Sequence, residues 1–254
     1  VEFIVAFSYA FRCRTMPLIK HALLRPGMDM LRKFLRYSAP VLINETLWGT
    51  GFSMITVIMG HMANSSGLIA AYTLAGNIDK LMTSGVFGIA AAVSVIVGKE
   101  IGTGNLKDVY NIGRALCFTA FAFGIVLGVA EYTMFVTMMR PFVMPLFSLS
   151  AVAERLCSVM LACYACAIPL HSFSTTMVVG VLRGGGDVNA SLFIDNFPLW
   201  CGTLPAMCLL GLMLKVPNEV FCLCLTIEYI IKSPIGLYRL RSGKWIHDIT
   251  RIDE

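Results

Sequence analysis

The sequence predicts an all-α membrane protein built on a bundle of six transmembrane helices, and three observations carry that prediction. Hydrophobic residues make up 57% of the 254 residues and charged ones only 14%, whereas soluble domains run at about 45–50% and about 25%. Mean hydropathy is +0.76, so too few charged side chains remain to cover a soluble surface. Six apolar segments have spanning length, near residues 38–63, 67–97, 113–139, 156–182, 188–214 and 219–238. None alternates polar and apolar residues as barrel strands do, so each reads as a helix.

Taken in order, residues 1–11, "VEFIVAFSYAF", have the composition of the end of a further span whose start would lie upstream. Neither an initiator Met nor a signal-peptide basic region opens the chain. Residues 12–37 form a basic linker. Within it "PGMDMLRKFLRYSAP" puts Met30, Leu31, Phe34, Leu35 and Ser38 on one helical face and Arg32, Lys33 and Arg36 on another. That is the pattern of an interfacial helix on the inner leaflet, or of an extension of the next span. The six segments follow, joined by connectors short enough to force alternating direction across the bilayer. A tail, 239–254, ends the chain.

Basic residues orient the bundle. Fifteen fall on one side: Arg12, Arg14, Lys20, Arg25, Arg32, Lys33, Arg36, Lys99, Lys107, Arg114, Arg183, Arg239, Arg241, Lys244 and Arg251. Arg140, Arg155 and Lys215 fall on the other. The bias puts the N-terminal segment, the loop at 183–187 and the C-terminal tail in the cytoplasm of a cell-membrane protein. The net charge of +5 is then topology, spread over separate loops, and implies no nucleic-acid partner.

Nine cysteines are scattered mostly through apolar segments, where they read as small packing residues. "CYAC" at 163–166 has metal or redox spacing, but haem attachment needs a histidine where Ala167 stands, and no zinc ligand set surrounds it. No metal and no organic cofactor are expected. "RGGGD", 183–187, lacks the lysine and hydroxyl of a phosphate-binding loop. It reads as a membrane turn, with glycine as a left-handed cap. Arg183 complements the end of one helix, and Asp187 is placed to cap the next.

Charges inside the spans mark a hydrated path, because each costs at least ~2.5–3.5 kcal/mol in hydrocarbon. At ~1.5 Å per residue, Glu45 and Asp195 lie about 10 Å in from the cytoplasmic ends of their helices, and Lys232 falls near the same level. Glu228 precedes Lys232 by four residues, the favourable order of acid and base on a helix. Asp195, Glu228 and Lys232 are therefore expected to form one neutralised cluster, acting as a static lock, in coupling or gating, or in direct substrate contact. Glu45 has no helical partner and invites a cation or a proton. Asp79 faces a cavity or pairs with another helix, diverging from its neighbour Lys80. Glu131 lies near the outer end of its span, at the interface. Pro169, Pro198, Pro205 and Pro234 would bend their spans and free carbonyls for a cavity.

Several motifs in register resemble one family. "GVLRGGGD" leading into "LFIDNFPLW" resembles the turn between the tenth and eleventh spans of the multidrug and toxic compound extrusion (MATE) family. "APVLINETLWGTG" resembles the start of its seventh span, "VGKEIGTGNLKDVYNIGR" the loop after its eighth, and "RPFVMPLFSLS" the loop before its tenth. "EYIIKSPIGLYRLRSGKWIHDIT" resembles its twelfth span and tail. The resemblance implies one lobe of a twelve-helix, two-lobed antiporter that exchanges cationic amphiphilic compounds for H+ or Na+, its partners being the bilayer, those substrates and an N-terminal lobe. It implies ion or substrate roles for Glu45, Asp79, Asp195, Glu228 and Lys232, with Arg183, Gly184, Gly185, Gly186 and Asp187 at a cytoplasmic turn. Many members carry a carboxylate three turns before that turn; here the region reads "LHSFSTT", with His171, Ser172 and Ser174. A lipid-linked sugar flippase is the alternative of related architecture, expected to have a basic cavity. A membrane-embedded transferase would need a convergent nucleophile, base or metal group, and the sequence offers none.

Overall fold

The computed structural model describes residues 8–9, 27–104, 106–147 and 149–247. The expected upstream span lies outside these residues except for helical Ser8 and Tyr9, as do Arg12, Arg14, Lys20, Arg25 and Arg251. Contacts divide the chain into two compact units, Val1–Leu42 and Ile43–Glu254. In the first unit the described residues are helical from Met28 onward. That helix is one element, Met28–Gly60, and passes through Pro40 without a break. The surface helix expected to end before Ser38 is therefore no separate element. Pro40 removes only its own bond to the fourth residue back, and no glycine or turn sequence stands between Gly27 and Pro40 to stop the helix.

Among the described residues six helices are long and apolar enough to cross a membrane: Phe34–Gly60, Ser65–Gly102, Asp108–Phe142, Ala151–Leu182, Val188–Met213 and Asn218–Arg241. Among the described residues there is no strand, only one isolated bridge between Gly186 and Ile246. Several helices outrun their apolar windows. Lys99 and Glu100, for example, extend the second to Gly102, because helix formation continues through good polar helix formers beyond the hydrocarbon. The fourth span is the axis of the second unit, with 61% of its most apolar window buried against 28% for the second and third.

Small residues let the third and fourth spans touch. A Cβ on Gly124 would stand 2.8 Å from the Pro169 Cα, and one on Gly128 would collide with the Ala165 carbonyl. Ser172 Oγ donates to the Ala120 carbonyl at 2.7 Å across the same contact. In a bilayer, close backbone approach and interhelical hydrogen bonds hold helices together.

Regular helix gives way to wider π-helical turns at Phe135–Val143, Thr176–Leu182, Pro198–Thr203 and Cys208–Met213. Pro141 lies in the first of these, and Pro198 opens the third. A proline cannot bond to the carbonyl four residues back, and a wider turn relieves the clash of its ring with that carbonyl. The fifth span, with Pro198 and Pro205, is the least regular, alternating α and π segments from Val188 to Met213.

Two apolar clusters fill the second unit. One, with Met59, Leu68, Leu156, Met160 and Phe221, lies toward the end that holds the turns at 61–64 and 214–217. The other, with Val97, Val109, Met177, Val181 and Trp245, lies toward the end that holds the turns at 103–104 and 183–187. Charged side chains gather between them.

Candidate functional site

Four spans of the second unit meet in a layer of charge. The first supplies Asn44 and Glu45, the fourth ends on Arg183, the fifth supplies Asp195 and Asn196, and the sixth Glu228 and Lys232. Lys232 Nζ donates to Asp195 Oδ1 at 2.8 Å and to Glu228 Oε1 at 2.6 Å. Asp195 Oδ2 accepts from Asn44 Nδ2 at 2.8 Å and lies 3.5 Å from Arg183 Nη2. Arg183 Nη1 reaches Glu45 Oε1 at 2.9 Å. The Asn44 carbonyl oxygen accepts from Asn196 Nδ2 at 2.6 Å. Asp195 is the hub, touched from three other helices.

Burial grades across this layer. Lys232 and Glu228 are buried at 4% and 3% exposure, while the Glu45 side chain remains 56% exposed. A buried pair gains little net stability, because desolvation offsets attraction, but removing either partner leaves an uncompensated charge. Three carboxylates face two cationic side chains, so the layer carries one formal negative charge in excess. That excess suits a bound monovalent cation or a proton, and its exposed end is Glu45.

Asp195, Glu228 and Lys232 stand together as the depth count anticipates. Three other expectations are corrected. The cluster is not neutral and extends to five charged groups. Glu45 is not alone, since Arg183 and Asn44 both reach it. Arg183 does not complement the helix end; its long side chain folds back along the bundle to two carboxylates. Asn44 and Asn196 went unremarked, because neutral amides raise no alarm in an apolar window. A signal was present all the same: "INETLW" and "IDNFPLW" each set a carboxylate and an amide side by side before Leu-Trp. Trp200 Nε1 donates to the Leu47 carbonyl at 3.3 Å, tying these two stretches together.

Asp79 stands outside the layer, on the wall of a cavity of about 380 Å³. Lys80 borders the same cavity despite its adjacent position, as a long flexible stem allows. Aromatic rings dominate the wall, among them Trp48, Tyr72, Tyr164 and Tyr229, and Glu228 borders it from the charged layer. His171 stacks on Tyr229 with ring centroids 4.6 Å apart, and it also borders a small cleft shared with Glu45, Asp195 and Lys232. It thus links cavity and layer. Glu131, expected at the interface, is fully buried, and neither of its oxygens has a hydrogen-bond partner among the described residues. The third helix runs on to Phe142, past the apolar window, which leaves Glu131 well inside.

The triple-glycine turn is built for close contact. A Cβ on Gly184 would stand 3.0 Å from the Ser94 backbone, and one on Gly185 would stand 2.5 Å from the Trp245 ring. Gly186 adopts φ +85°, the left-handed cap conformation expected there. Asp187 occupies the cap position of the fifth span without a capping hydrogen bond from its side chain. Its carboxylate is taken by Arg239, at 2.7 Å to Nε, a correction that follows from the tail's position. His247 N donates to the Gly185 carbonyl at 2.9 Å, and Trp245 is wholly buried beneath the turn. Among the described residues no group of three His, Cys, Asp or Glu side chains could hold a metal ion.

Comparison with known proteins bears on family and fold. The MatE family model matches residues 40–202, more than half of the chain. That match covers Glu45, Asp79, Arg183 and Asp195, while Glu228 and Lys232 lie beyond it. A "Probable multidrug resistance protein NorM" of Thermotoga maritima is 22% identical over 235 residues, 89% of this chain and 47% of the relative. "Multidrug resistance protein MdtK" of Photorhabdus laumondii is 22% identical over 193 residues, 76% of this chain and 40% of the relative. The chain spans about half the length of the curated relatives it matches. Among solved structures, an outward-facing multidrug resistance MATE family transporter of the MOP superfamily superposes with TM-score 0.72 at 15% identity, over 87% of this chain and 48% of that one. The MATE transporter ClbM, in complex with Rb+, gives TM-score 0.73 at 19% identity, over 88% and 51%. The shared fold and the family match lead to one conclusion: this chain belongs to the MatE family.

Proposed function

We propose that the chain forms one lobe of a secondary antiporter that exports cationic amphiphilic drugs or metabolites in exchange for H+ or Na+, working with an N-terminal lobe in a cell membrane. The observation that carries this reading is the layer of three acids and two bases beside an aromatic cavity. Aromatic faces attract organic cations, and the acids Asp79 and Glu228 on the cavity wall add Coulomb attraction. The excess negative charge can be neutralised by one coupling ion or by the cationic substrate. Competition for that charge would link the two fluxes. Alternating access then consists of one lobe rocking against the other around a fixed charged layer.

In this reading Glu45 receives the coupling ion, since it is the most exposed acid of the layer, and Asp195 transmits its occupancy. Arg183 swings between Glu45 and Asp195 as the former fills. Glu228 and Lys232 hold the sixth span to the fifth. The turn at Arg183–Asp187, with its three glycines, gates the cytoplasmic face. Both termini are cytoplasmic. No step needs a nucleic acid, an organic cofactor or a bond-making active site, so the chain is read as a transporter rather than an enzyme.

Dye efflux from cells carrying the full gene tests this. Glu45→Gln and Asp195→Asn should each abolish efflux while the protein remains in the membrane. Repeating the assay with Na+ replaced by choline, and with the proton gradient collapsed, identifies the coupling ion. Undiminished efflux in both variants would remove the layer from the mechanism.

A further inference from the structure

A second cavity, of about 420 Å³, lies between the third and sixth spans at the end that carries the triple-glycine turn. Tyr110, Arg114 and Phe118 line it from one side and Leu237, Leu240 and Arg241 from the other. Both arginines are exposed, and neither enters an ion pair with any described residue. Among the described residues their cationic charge is therefore uncommitted, unlike that of Arg183 and Arg239.

We propose that this cleft binds an anionic phospholipid, its phosphate held between the guanidiniums of Arg114 and Arg241. Depth supports that occupant. Counted from the middle of the third span at ~1.5 Å per residue, Arg114 lies about 16 Å out, and Arg241 lies about 17 Å out along the sixth. The hydrocarbon core extends about 15 Å from its midplane, so both cations stand at phosphate level. Phe118 and Leu237 lie about 10 Å and about 11 Å out on the same count, within the acyl region. Phe118 is half exposed. A cationic rim at headgroup depth over an apolar floor at acyl depth fits a lipid and leaves a soluble anion half unsatisfied. Two guanidiniums favour an anionic headgroup, because the second would repel the ammonium of a zwitterionic one. They also repel the cationic cargo proposed for the aromatic cavity.

The cleft has fixed walls. A Cβ on Gly113 would stand 3.0 Å from the Trp245 ring, and Trp245 Nε1 donates to the Leu240 carbonyl at 3.1 Å. One buried tryptophan thus sets the spacing of the two helices that carry the arginines. A lipid seated there would brace the third span against the sixth, beside the tail that closes the glycine turn.

Native mass spectrometry of the full-length transporter tests the site. Phosphatidylglycerol should be retained by the parent roughly thirtyfold better than by Arg114→Gln/Arg241→Gln, as two interfacial charges imply. Phosphatidylcholine should not discriminate between the two proteins. The chain-free headgroup, glycerophosphoglycerol, should bind weakly to both. Equal retention of phosphatidylglycerol by parent and double variant overturns the proposal, and so does tight binding of the chain-free headgroup, which would indicate a soluble phosphate ligand. If the double variant does not fold, Phe118→Trp reports on the intact cleft. Its added fluorescence should be quenched more by brominated phosphatidylglycerol than by brominated phosphatidylcholine, and equal quenching overturns the site. These measurements read binding alone, so their failure leaves the export reading untouched.

Discussion

Asn44 holds the charged layer in place at the cost of one buried amide. Its Nδ2 satisfies Asp195 and its oxygen accepts from Asn196, at 1% exposure. Asn44→Leu keeps the volume but leaves Asp195 Oδ2 and the Asn196 amide short of partners. The expected loss is about 1–3 kcal/mol, seen as a lower midpoint in thermal unfolding of the purified protein. An unchanged midpoint would mean that Arg183 closes the gap. The contrast with Lys232 shows what a sequence can reveal at this scale. Lys232 was legible because a charge in an apolar window is costly, and Glu228 four residues earlier named its partner. Asn44 was silent because an amide carries no formal charge, so nothing about it demanded a charged partner. Arg183 was misplaced because counting residues locates a Cα, whereas a guanidinium reaches several ångströms beyond it.

Among the elements, the six helices were legible in outline and their ends were not. Hydropathy windows stop where apolar residues thin out, but the hydrogen-bonded ladder continues until a breaker or a competing contact ends it. Pro40 was not such a breaker, and so the helix from Met28 absorbs the stretch that reads as a separate surface helix. The fold of the tail was not legible, since "RSGKWIHD" has neither period nor spanning length. Yet Ser242–His247 folds back so that Trp245 is fully buried against Gly185, Gly113 and the second apolar cluster. Trp245→Ala removes the largest wholly buried side chain and should cost about 3–5 kcal/mol. The loss should be local at first: amide exchange at Gly185, Gly186 and Asp187 should accelerate before exchange in the fourth span does. Uniform acceleration would mean that the tail supports the whole bundle and not the turn alone.

For the whole molecule, the arrangement of charge matters more than its amount. Of the twenty basic residues, Arg183 and Lys232 are drawn into the charged layer, while Arg114 and Arg241 stand exposed over the cleft between the third and sixth spans, with no ion pair among the described residues. This division follows from one physical rule. A cation far from water must be paired, while a cation at the interface is paired by lipid. The proposed sidedness follows from the same rule: it sets Arg114 and Arg241 at the anionic inner leaflet, and the turns at 103–104 and 183–187 then share that side. On a cysteine-less background, single cysteines at Thr103 and Ser242 should react with an impermeant maleimide only after the membrane is opened. A cysteine at Lys215 should react in intact cells. Labelling of Thr103→Cys from outside would invert the bundle. It would also set Arg114 and Arg241 of the third and sixth spans against the outer leaflet, leaving the fifteen-to-three distribution of basic residues without a physical cause.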